Sequence, residues 1–158
     1  MKGTAAAFID ELAGWIAEVG FCQTVLLSSA DASYRNDQQL AGQLQFMAAE
    51  GDASSKLGAK LEAMGLSSLI SSSQGEDEVF VSKRGFSRQL LEVCAARGHS
   101  AVVLLSLCYE GDNVPQSLQL ASAVIQLLGL ADKGVQKIVM PASWRHISGA
   151  PFDHGELY

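Results

Sequence analysis

The chain has 158 residues, of which 48% are hydrophobic and 18% charged, and it carries a formal net charge of −6 at pH 7. Such a length suits one domain with a real core, and the composition is that of a globular protein, not a disordered one. The acidic balance argues against nucleic acid as a partner, and no apolar run reaches the roughly eighteen residues that a membrane span requires.

The chain opens into a helical pattern, Phe8, Ile9, Leu12, Trp15, Ile16 and Val19, with Thr4 as the expected cap and Gly20 as the stop. Asp10 and Glu11 in this segment argue against a signal or transit peptide. Thr24 to Ser29 is a continuous apolar stretch of strand length, the pattern of a strand buried on both faces of a parallel sheet. Leu44 to Met47 reads as a short strand and Lys56 to Met64 as a weak helix. Ser67 to Glu78 is rich in Ser, Gly and acid and reads as an exposed loop without core contribution.

Glu78 to Val81 then reads as a strand, and Phe86, Leu90, Leu91, Val93 and Cys94 as a helix closed at Arg97-Gly98. Ala101 to Leu107, apolar almost throughout, is the strongest strand signal. Pro115 sits near the first turn of a helix, where its missing N–H costs little. Leu118, Ala121, Val124, Ile125 and Leu128 are its expected inner face, widened by Leu120 and Leu127. Lys137 to Met140 is the last expected strand. The alternation of helix and strand predicts an α/β fold, a mostly parallel sheet covered by helices with right-handed crossovers. One domain is expected over residues 1–150, followed by a flexible tail over 151–158.

Most familiar chemistry fails on spacing. Gly98-His99-Ser100-Ala101 begins like a nucleophile elbow, but Val102 stands where glycine belongs and the segment precedes a strand. No glycine-rich phosphate loop follows any strand. Lys83-Arg84-Gly85-Phe86-Ser87 has the charges for an anion, though a solvated strand–helix turn accounts for it better. Cys22, Cys94 and Cys108 are odd in number and far apart, and read as small buried hydrophobes in a reducing compartment. The histidines, His99, His146 and His154, have no metal-spaced partner. No cofactor or metal is expected.

Three strand-end segments remain. Glu110-Gly111-Asp112-Asn113 places two carboxylates on one loop, as acid–base work or a divalent cation would need. It reads better as a turn in which Asp112 or Asn113 caps the helix of Pro115. Trp144 beside Arg145 reads as core packing with a cation–π contact. Tyr34 and Arg35, in Ser33-Tyr34-Arg35-Asn36-Asp37, are residue types enriched in binding hot spots.

In order, Leu26 to Asp37, Tyr109 to Pro115 and Met140 to Arg145 resemble three segments of the eukaryotic proteasome assembly chaperone family. Their counterparts there are serines followed by a Tyr-x-Arg-Asn-Asp-like run, Glu-Gly-Asp-Asn-(Ile/Val)-Pro, and Pro-x-Ser-Trp. The resemblance spans essentially the whole chain but lacks a strand-rich N-terminal portion, about a third of the family's length, so the fold is expected to be partly truncated. Lys83-Arg84-Gly85 also departs from a glycine run.

The resemblance implies a nucleoside-phosphorylase-like architecture without enzymatic activity. It implies a heterodimer with proteasome assembly chaperone 1 that holds proteasome α-subunits during α-ring formation in the cytoplasm and nucleus. It makes Tyr34, Arg35, Asn36, Asp37, Leu157 and Tyr158 the expected partner contacts, and Glu110, Gly111, Asp112, Asn113, Pro115 and Trp144 structural. The family's C-terminal triplet, hydrophobic–Tyr–any, is one residue short after Leu157-Tyr158. The rival readings are a small hydrolase or phosphorylase-like enzyme on the same fold, and a non-functional fragment.

Overall fold

A computed structural model describes residues 2–32, 44–48, 52–69, 85–135 and 137–146. The elements are α1 (Lys2–Val19), β1 (Thr24–Asp31), β2 (Leu44–Ala48), α2 (Asp52–Ala63), β3 (Ser67–Ser68), α3 (Phe86–Ala96), β4 (Ala101–Cys108) and α4 (Val114–Leu127). Short 3-10 turns follow at Ala131–Lys133 and Ala142–His146. The strands form a sheet in the order β1-β4-β2-β3. β1 pairs with β4 in parallel and so does β2 with β3, whereas β2 and β4 run antiparallel. The result is the expected α/β class, mostly parallel, with one antiparallel seam down its middle.

Burial explains why β4 is central. Every residue from Ala101 to Leu107 is buried, as a strand covered on both faces must be. Ala101 and Val103 pack under α1 and α3 with Ile9, Ala13, Met47, Leu90, Leu91 and Cys94. Val102 and Leu104 pack on the opposite side under α2 and α4 with Phe46, Leu57, Leu61, Ala123 and Leu127. Each fully buried Val or Leu contributes about 1.5–3 kcal/mol relative to exposure, so this one strand anchors both layers.

Helix α3 ends as its sequence suggests. Gly98 takes φ +69°, and the Gly98 and His99 N–H groups donate to the Ala95 and Cys94 carbonyls at 2.9 and 2.8 Å. This is a Schellman ending, in which glycine accepts the left-handed conformation that a Cβ disfavours.

Several expectations are corrected. β1 is not buried on both faces: it is the sheet edge among the described residues, and Leu27 is 49% exposed. Helix α1 begins at Lys2, so Thr4 lies inside it and is not its cap. Its buried stripe is Ile9, Ala13 and Ile16, while Phe8, Trp15 and Val19 face outward. The inner face of α4 is Leu120, Ala123, Val124 and Leu127, rotated from the expected stripe, because the helix packs beside β4 and β2 and leaves Leu128 exposed. Lys137 to Met140 forms no strand; Val139 is 76% exposed, and no neighbouring strand among the described residues offers it a ladder. Ser67 and Ser68 pair with Gln45 and Phe46, and Leu69 joins the α1/α3 core, so the start of that segment is not a loop. Cys22 is exposed, unlike buried Cys94. The expected strand Glu78 to Val81 lies outside the described residues.

Candidate functional site

Among the described residues, a concavity lies where β1 and β4 end and α4 begins. Parallel strands carry their side chains outward alternately, so Leu27 and Ser29 of β1 share a face with Ser106 and Cys108 of β4. The first two turns of α4 close the opposite wall with Asn113, Gln116, Ser117 and Leu120. The cleft encloses 620 Å³. Among the described residues, its wall is hydroxyl, amide, thiol and leucine, without a charged side chain. Ser106, only 3% exposed, is the one hydroxyl in an otherwise apolar central strand, and the Cys108 thiol donates toward it at 4.0 Å. The Gln116 Oε1 is shielded from solvent and has no hydrogen-bond partner in the structure.

The loop from Tyr109 to Asn113 shapes this mouth. Gly111 takes φ +115°, which only glycine adopts without strain. The Asn113 Nδ2 folds back and donates to the Tyr109 carbonyl at 2.8 Å and the Gly111 carbonyl at 3.3 Å. Asn113 therefore holds the N-cap position of α4 without capping it by its side chain. Asp112 does that work from one residue earlier: its Oδ1 accepts from the Val114 N–H at 2.9 Å. Pro115 sits in the first turn. The Ser117 hydroxyl and N–H both donate to the Asn113 carbonyl at 3.0 Å. Glu110 and Asp112 are exposed, and no cluster of three metal-type ligands occurs among the described residues.

The remaining sequence-predicted residues do not gather here. Tyr34, Arg35, Asn36, Asp37, Leu157 and Tyr158 lie outside the described residues. Trp144 sits half-buried in the last 3-10 turn, where its N–H donates to the Pro141 carbonyl at 3.0 Å. Of the Lys83-to-Ser87 segment, Gly85 precedes α3 and the Ser87 hydroxyl donates to that of Ser28 at 3.1 Å, tying α3 to β1. Burial pushes the Cys94 thiol above its ordinary pKa, with Arg97 partly offsetting it, which disfavours the nucleophilic thiolate. Sequence reading passed over Ser28, Ser106, Gln116 and Ser117. The available signal was a serine inside an apolar strand, matched by polar residues on the first turns of the next helix.

A second feature is aromatic. Phe8 and Phe86 lie 5.9 Å apart by ring centroids, and Trp15 meets Phe21 edge-on at 5.3 Å. All four are exposed, Trp15 by 53%. No helix among the described residues is long and apolar enough to cross a membrane.

Among the described residues, fold and surface define an α/β protein that presents a cleft of uncharged, hydrogen-bonding side chains and an aromatic face. In sequence, the chain is 31% identical to proteasome assembly chaperone 2 of Xenopus laevis, over 95% of this chain and 61% of that protein. It is 32% identical to proteasome assembly chaperone 2 of Danio rerio, over 91% of this chain and 59% of that one. The Xenopus tropicalis protein of the same name is 30% identical over 95% of this chain and 61% of its own length. The chain is thus similar over nearly its whole length to proteins named proteasome assembly chaperone 2, and spans about three fifths of the length of these relatives. No family model matches it.

Proposed function

We propose that the chain is a chaperone of proteasome assembly that acts through protein–protein contacts and catalyses no reaction. The observation that carries this reading is similarity across nearly the whole chain to relatives that bear that name. The surface is consistent with it, because exposed aromatic residues are the side chains that dominate protein interfaces. Phe8, Trp15, Phe21 and Phe86 supply them here.

In its finer form, the chain pairs with proteasome assembly chaperone 1, and the pair holds proteasome α-subunits during ring formation, in the cytoplasm and nucleus. Tyr34, Arg35, Asn36 and Asp37 form one partner contact and Leu157 with Tyr158 another. The support for this form is the strand-end resemblance described at the outset.

Co-purification of the tagged full chain with chaperone 1 and α-subunits tests the proposal. Recovery of both partners is the expected result; recovery of neither rejects it. Removing Leu157 and Tyr158 should weaken α-subunit binding by about tenfold, equivalent to 1.4 kcal/mol, and leave chaperone 1 binding in place.

A further inference from the structure

We draw no further inference here: the strongest candidate, the cleft between β1, β4 and the first turns of α4 with the shielded Gln116 Oε1 at its wall, belongs to the site already described, and nothing in the structure shows what covers it on the β1 side.

Discussion

The Thr24 hydroxyl and the His99 Nε2 stand 2.8 Å apart where β1 and β4 begin side by side. With the Thr24 N–H on the Ser100 carbonyl, this contact fixes the register of the strand pair at its first residue, from which all later pairs down to Asp31 and Cys108 follow. Thr24→Val keeps the shape and removes the hydroxyl. It should cost about 0.5–1.5 kcal/mol, the net worth of one ordinary hydrogen bond, seen as a lower urea midpoint with an unchanged slope. An unchanged midpoint would show that the pair is fixed elsewhere.

Gly58 offers a gain. It lies inside α2, and a Cβ built there meets the Phe46 ring at 3.5 Å and the Ala48 Cβ at 3.7 Å, ordinary contact distances. Glycine inside a helix costs about 0.5–1 kcal/mol relative to alanine. Gly58→Ala should therefore raise the melting temperature, and a drop would mean that the Phe46 ring cannot keep its place beside the added methyl.

Asp112 separates a turn from an active site. Its carboxylate accepts from the Val114 N–H at the start of α4, so Asp112→Ala should lower stability by about 0.5–1 kcal/mol, towards the lower end of measured capping effects. Unfolding by urea measures it. Turnover of an ester or a nucleoside that vanished in Glu110→Ala would contradict the structural reading of this loop.

The cysteines should differ in reactivity and in their effect on stability. Cys22 is exposed and Cys94 buried, with its thiol pKa raised chiefly by burial. A thiol reagent should label Cys22 first and Cys94 only on unfolding. Because the folded pKa of Cys94 lies above the unfolded value, its contribution to stability is present below about pH 8.5 and lost as pH rises through the folded pKa. Cys94→Ala should flatten that alkaline decline, even while costing stability at neutral pH.

What the sequence revealed depended on how much of an element's pattern is set by the element itself. β4 is legible because a strand covered on both faces must be almost wholly apolar, and Ala101 to Leu107 is, Ser106 apart. The end of α3 is legible because Gly98 is a local requirement. The outward turn of Phe8 and Trp15, the edge position of β1 and the rotation of α4 are not local. Apolar residues recur around much of α1 and α4, so periodicity alone could not choose the buried stripe; the positions of β4 and β2 choose it. The same holds for the cleft. Ser106 and Gln116 are ten residues apart in sequence and line one cleft only because α4 returns over the strand it follows. Lys137 to Met140 has a strand's composition but no ladder among the described residues, and composition cannot reveal a missing neighbour.

Ring assembly itself is the most direct measure of the central claim. Purified proteasome α-subunits and chaperone 1 would be mixed with and without the full chain, and the products resolved on a native gel. A chaperone of proteasome assembly should raise the yield of α-rings and appear in the intermediates that precede them. Equal yields in both mixtures, with the chain absent from every intermediate, would contradict the account.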